Sequence, residues 1–167
     1  MEFRGRVRLA WEMTWPLALI DAAVVVFIHG ALDAKDETLD SAWAVAAFFA
    51  VSPWVVRRAL RLPYKGRRVT IQRSAPADGG ALTYQESLKV MWLLAWRTLV
   101  LALAAVLAVS ALLKAAGWSA ASISSADPLV NALGLSLVDS AASLVFTPFL
   151  IPGMLRKRYR GFKLSLR

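Results

Sequence analysis

Val90–Leu113 reads VMWLLAWRTLVLALAAVLAVSALL, and one charge, Arg97, interrupts it. A spanning helix needs about 20 mostly apolar residues to cross a hydrocarbon core of about 30 Å. In lipid the backbone must satisfy its own hydrogen bonds, so such a run is read as a helix. It is the most hydrophobic segment of the chain, and the other elements are placed outward from it.

Three further segments have the same character. They run from about Met13 to Ala31, from about Ser41 to Val56, and from about Leu129 to Leu150 or Leu155. The second is short, but Arg57 and Arg58 can snorkel and extend it by a turn. Composition agrees: the 167 residues are 58% hydrophobic and 19% charged, against about 45–50% and about 25% in average soluble chains. The expected fold is an all-α membrane protein with four transmembrane helices, residues 1–167 forming one integral membrane domain. Met1 to Arg8 is basic and precedes an apolar run, as in a signal peptide. Asp21 lies inside that run and no small-residue cleavage pattern follows, so it reads as a retained first helix.

Charge gives the expected orientation. Of the 20 Lys and Arg residues, all but Lys35, Lys114 and Arg97 fall in three regions. These are the N-terminal tail (Arg4, Arg6, Arg8), the second connection and its flanks (Arg57, Arg58, Arg61, Lys65, Arg67, Arg68, Arg73, Lys89), and the C-terminal tail (Arg156, Lys157, Arg158, Arg160, Lys163, Arg167). The positive-inside rule puts all three in the cytoplasm, and with them both termini. The first outer loop is acidic, with Asp33, Asp36, Glu37 and Asp40. Trp11, Trp15, Trp54, Trp92 and Trp96 fall near the inner boundary, Trp43 and Trp118 near the outer one, as amphipathic indoles prefer. Thr83-Tyr84-Gln85-Glu86 is a capping box that starts the third helix before the bilayer. Asp127-Pro128 is an N-cap followed by proline at the first helical position. Ser74 to Gly80 reads as a loop.

The chain also resembles itself. Ser52-Pro53-Trp54-Val55-Val56 matches Thr147-Pro148-Phe149-Leu150-Ile151 at an offset of 95, which also relates Leu60-Arg61 to Leu155-Arg156. Tyr64-Lys65-Gly66 then meets Tyr159-Arg160-Gly161, and Arg68-Val69-Thr70-Ile71 meets Lys163-Leu164-Ser165-Leu166. The first and third helices align more weakly, Trp11 with Trp92 and Trp15 with Trp96. Segments that leave a membrane share basic and aromatic residues, but Tyr-basic-Gly at a fixed distance from Ser/Thr-Pro goes beyond composition. Two repeat units are expected, about 9–73 and about 84–167, as parallel hairpins related by an axis along the membrane normal. After each Tyr-basic-Gly turn the apolar residues alternate, Val69 with Ile71 and Leu164 with Leu166, which is strand periodicity. These two strands are expected to pair as a short two-stranded cytoplasmic β-ribbon. A lone ribbon is marginal in water, so it should lean on the helix ends, the bilayer or a partner.

Asp21, Arg97 and Asp139 are the charges inside the spans, each costing roughly 2.5–3.5 kcal/mol at a helix centre. They are the candidate intramembrane polar network, as an ion relay, a substrate grip or a lock within the bundle. Pro16, Pro53, Pro148 and Pro152 are expected to kink or end helices. The second candidate site is a cytoplasmic docking or lipid-headgroup face: Arg57, Arg58, Arg61, Tyr64, Lys65, Arg67, Arg68, Arg156, Lys157, Arg158, Tyr159, Arg160 and Lys163.

Catalytic and cofactor signals are missing. No cysteine is present, which excludes disulfides, thiolate metal sites and a cysteine nucleophile. His29 is the single histidine; with Asp33 it falls short of the convergent ligand set a metal wants. No P-loop, dinucleotide fingerprint, HExxH or serine-hydrolase elbow occurs. No cofactor and no enzymatic activity are expected. The net charge of +9 sits between apolar runs, so anionic lipid headgroups account for it better than nucleic acid. The expected function is a non-enzymatic scaffold or anchor in the bacterial inner membrane, working as a homo-oligomer or with a partner membrane protein. The alternative is a small transporter or channel using Asp21, Arg97 and Asp139.

Overall fold

A computed structural model describes residues 2–32, 37–64, 69–73, 82–115 and 127–166. In chain order the elements are α1 (Phe3–Val26) with a π-helical end Phe27–Ala31, α2 (Glu37–Ala46), a π turn Ala47–Val51, α3 (Ser52–Arg61), β1 (Val69–Arg73), α4 (Tyr84–Ala115), α5 (Pro128–Arg156), β2 (Arg158–Tyr159) and β3 (Phe162–Leu166). Four helical stretches are long and apolar enough to cross a membrane: Phe3–Ala31, Thr38–Arg61, Tyr84–Ala115 and Leu129–Arg156.

All four extend beyond the apolar runs at the ends that carry the basic regions. There the helices are amphipathic and bury one side. Leu9, Ala10 and Met13 of α1 are buried, as are Val55, Val56, Ala59 and Leu60 of α3. Both helix-start signals are realised. Thr83 N–H donates to Glu86 Oε2 at 2.8 Å and Glu86 N–H to Thr83 Oγ1 at 3.3 Å, a reciprocal capping box. Leu129 N–H donates to Asp127 Oδ1 at 2.9 Å.

Of the prolines expected to kink or end helices, none ends one. Pro16, Pro148 and Pro152 lie inside continuous helices. Pro53 follows the π turn at the start of α3. Having no N–H, it cannot serve the carbonyl one turn earlier. That carbonyl, of Phe49, accepts instead from the Tyr84 hydroxyl at 2.8 Å. The same substitution occurs where α3 ends. Pro63 cannot donate to Ala59, and the Tyr64 hydroxyl does so at 2.7 Å.

At the sheet end the helices close a ring: α1 packs on α3 and α5, and α4 packs on α3 and α5. The core lies there. It joins Leu9 and Met13 (α1), Val56 and Leu60 (α3), Val90, Leu93 and Leu94 (α4), and Ile151 and Met154 (α5) to Tyr64, Tyr159, Phe162 and Leu164. The opposite halves of α4 and α5 are open, with Leu103 57%, Leu107 61%, Leu112 69%, Leu135 72% and Leu137 69% exposed.

The strand residues do pair, but the chain is not all-α and the ribbon is not two-stranded. The sheet has three strands in the order β1-β3-β2. β1 runs antiparallel to β3, with Thr70 opposite Ser165 and Ile71 opposite Leu164. β2 adds a hairpin on the other edge, with Tyr159 opposite Phe162. The tight turn between them is possible because Gly161 takes φ 95°, a left-handed conformation that glycine adopts without penalty. Its counterpart Gly66 lies outside the described residues, as do Lys65, Arg67, Arg68 and the loop Ser74 to Gly80.

Candidate functional site

Asp21 and Arg97 do not meet. Asp21, midway along α1, accepts from Trp43 Nε1 at 2.8 Å and from Ser136 Oγ at 2.5 Å. One carboxylate thereby ties α1 to α2 and to α5. Asp139 lies one turn after Ser136 on the same helix. Trp43, which its position suggested as an outer anchor, instead turns its N–H to Asp21. Nothing in the sequence marks Trp43 or Ser136 as partners, because the pairing spans helices.

Arg97 runs the other way. Its Cζ lies 5.5 Å from the Trp96 ring centroid, and its guanidinium lies against Gly153 of α5, toward the sheet end. Among the described residues it forms no ion pair. The long Arg side chain carries its charge from the apolar part of α4 toward the helix ends. Of the expected three-ion network, Asp21 is tied to Trp43 and Ser136, while Arg97 lies elsewhere, against Gly153.

The basic face is built on the sheet. Val69, Ile71, Phe162 and Leu164 face the core, so the alternate residues Thr70, Gln72, Lys163 and Ser165 face away from the bundle. Arg158 stands directly opposite Lys163 on that outward side. The Thr70 hydroxyl bonds to Ser165 Oγ at 2.9 Å in its middle. Arg156, Lys157 and Arg160 are exposed around the hairpin, and Arg61 at the end of α3. The two tyrosines are not on this surface. Tyr159 stacks on Phe162 with centroids 4.7 Å apart, and its hydroxyl reaches the Met154 carbonyl at 3.4 Å. Burial pushes the Tyr159 hydroxyl up to about 12, against the opposing pull of Arg97. Burial likewise raises the Tyr64 hydroxyl, aided by Glu12 and opposed by Arg8 and Arg58.

No family model matches this chain, and no curated protein or solved structure matches it.

Arg58 is not a free docking cation. Its guanidinium lies 3.3 Å from Glu12 and 5.1 Å from the Trp15 ring centroid, while Trp15 Nε1 donates to Glu12 at 3.3 Å. Arg73 is also held internally, forking onto Glu86 at 3.0 and 2.8 Å, and that bond raises its pKa further. These two carboxylates could have been suspected, because acids are few within the basic regions, Glu2 and Glu12 in one and Asp78 and Glu86 in the other. Arg57 is half-buried, with a buried Nε that makes no hydrogen bond. At the opposite end of the bundle His29 pairs with Asp40 at 3.0 Å; Asp33, weighed above as its companion, lies outside the described residues. No group of three metal-binding side chains occurs among the described residues.

Proposed function

We propose that the chain is a multi-pass protein of the bacterial inner membrane, with sheet and termini in the cytoplasm, serving as a non-enzymatic scaffold or anchor in a homo-oligomeric or heteromeric complex. One observation carries this reading: Arg158 and Lys163 stand directly opposite each other on the outward side of the sheet. Like charges placed so repel. Neither has a carboxylate partner among the described residues. Glu12 and Glu86 are already engaged by Arg58 and Arg73. An external acidic surface relieves that repulsion, and because this side faces away from the bundle, it suits a cytoplasmic partner more than the bilayer. The cations toward the ends of α3 and α5, Arg57, Arg61 and Arg156, fall instead at headgroup level and suit anionic lipid.

The duplication supports the same orientation. The register sets Thr70 opposite Ser165, its equivalent at the offset of 95, as a two-fold axis through that pair requires. Tyr64 and Tyr159 each reach a carbonyl five residues back. An axis normal to the sheet and along the bundle relates two parallel hairpins, as the positive-inside pattern does. The transporter alternative expects a polar cavity at mid-depth lined by Asp21, Arg97 or Asp139; the bonds of Asp21 to Trp43 and Ser136 favour the static reading.

Mass measurement of the intact particle in mild detergent tests the proposal. The expected particle is heavier than one chain, and Arg158→Glu with Lys163→Glu dissociates it while the chain still inserts. A lone monomer, unchanged by charge reversal, counts against it.

A further inference from the structure

Arg97 is a cation within an apolar helix and has no carboxylate beside it, yet its side chain is held in one place. One terminal guanidinium nitrogen lies 3.2 Å from where a Cβ on residue 153 would stand. Glycine at that position leaves the crevice between α4 and α5 open; any larger side chain pushes the guanidinium aside. The crevice is not sealed, since Gly153 is exposed. A second cation approaches from the end of α5, where Lys157 Nζ lies 5.8 Å from the Tyr159 ring centroid. Lys157 N–H donates to the Gly153 carbonyl at 3.1 Å, so this second cation stands one turn beyond the glycine that Arg97 lies against, and neither cation is ion-paired among the described residues.

Apolar surface continues from this pair toward the middle of the spans. Phe149, one turn before Gly153, is 64% exposed, Val145 is 59% exposed, and Trp96 beside Arg97 is 43% exposed. Two cations at the head of an exposed apolar track, with an indole at the junction, match a phosphate carried on acyl chains. The guanidinium fork and the ammonium donate to phosphate oxygens, the indole sits at headgroup level, and the acyl chains lie on Phe149 and Val145. Free phosphate would use the cations and leave the track unused.

We propose that the α4–α5 crevice at Arg97, Gly153 and Lys157 binds the phosphate of an anionic phospholipid. The inference rests on the reading that these helices span a membrane.

Native mass spectrometry of the whole chain, titrated with phosphatidylglycerol and with phosphatidylcholine of the same acyl chains, tests it. Each juxtamembrane cation adds about 1 kcal/mol of attraction to anionic lipid, so the two together give an expected preference for phosphatidylglycerol of about tenfold or more. Arg97→Gln should abolish most of that preference and Arg97→Lys should keep part of it. Gly153→Leu fills the crevice without altering charge and should abolish it too, which covers failure of the Arg97 variant to fold. Arg158→Gln, on the outward side of the sheet, should leave it unchanged. A preference that survives both Arg97→Gln and Gly153→Leu, or falls equally with Arg158→Gln, overturns the site. Inorganic phosphate that binds in an Arg97-dependent way, with no lipid preference, assigns the site to a soluble anion and overturns the lipid. Wild-type chain that does not sediment with membranes overturns the membrane reading first; sedimentation without lipid preference overturns the site alone.

Discussion

Replacing Leu164 with alanine should be among the most damaging single truncations, although Leu164 lies in a short strand near the chain end. Its side chain is fully buried, 0% exposed. It sits on the core side of β3 opposite Ile71, over residues from all four spans. Deleting a buried leucine to alanine loses transfer free energy and leaves a cavity, together about 3–5 kcal/mol. The matched control is Leu103→Ala in α4, where the side chain is 57% exposed. In a bilayer lipid tails solvate leucine as well as protein does, so that loss should stay below about 1 kcal/mol. Both variants should be unfolded reversibly in mixed micelles, reading the midpoint and the exchange protection of strand amides. If Leu103→Ala costs as much as Leu164→Ala, the stability does not reside in the sheet-end core, and the reasoning fails.

Glu86→Gln should separate two roles of one side chain. Glutamine still completes the capping box, so the start of α4 should keep its protection, whereas β1 loses the charged fork of Arg73 and its amides should exchange faster; equal protection of β1 would show the fork to be idle. Asp21→Ala and Ser136→Ala should show a coupling of about 0.6–1.7 kcal/mol in a double-mutant cycle, the range for hydrogen bonds between membrane helices, and additive losses would refute the bond. As pH rises past about 10, where unfolded tyrosines ionise, stability should fall, Tyr159 alone contributing roughly 2 kcal/mol by pH 12 because its folded hydroxyl holds its proton up to about 12, and the Tyr64 hydroxyl, also raised by burial, adding to the loss. Tyr159→Phe should reduce that alkaline loss, and a profile identical to wild type would exclude Tyr159 as its source.

The helices were legible because span length and apolarity are local properties, read from runs such as Val90–Leu113. Strand pairing was legible because the second copy of the Tyr-basic-Gly turn announced its partner. The added strand β2 was not, since Arg158–Tyr159 is too short to show alternation. The early start of α1 was missed for a related reason: Arg4, Arg6, Arg8 and Glu12 interrupt the apolar residues from Phe3 to Glu12, and only the packed bundle reveals that Leu9 and Ala10 are its buried side. The candidate site split along the same line. Which residues were charged inside the spans was plain, but their grouping depends on side-chain direction. Asp21 is short and must find donors at its own depth, whereas Arg97 is long enough to leave it.

That difference bears on the transport alternative. A carboxylate that carries an ion through a bilayer must exchange its partners during each cycle. Both Asp21 oxygens are already taken, by an indole N–H from α2 and a hydroxyl from α5, and both donors are neutral. Releasing them frees one hydroxyl and one N–H into hydrocarbon, a loss with no compensating gain unless water enters. A static tie suffers no such loss. It joins three helices beyond the sheet-end core, where the flanks of α4 and α5 stand open. The geometry of Asp21 is thus what a lock between spans requires.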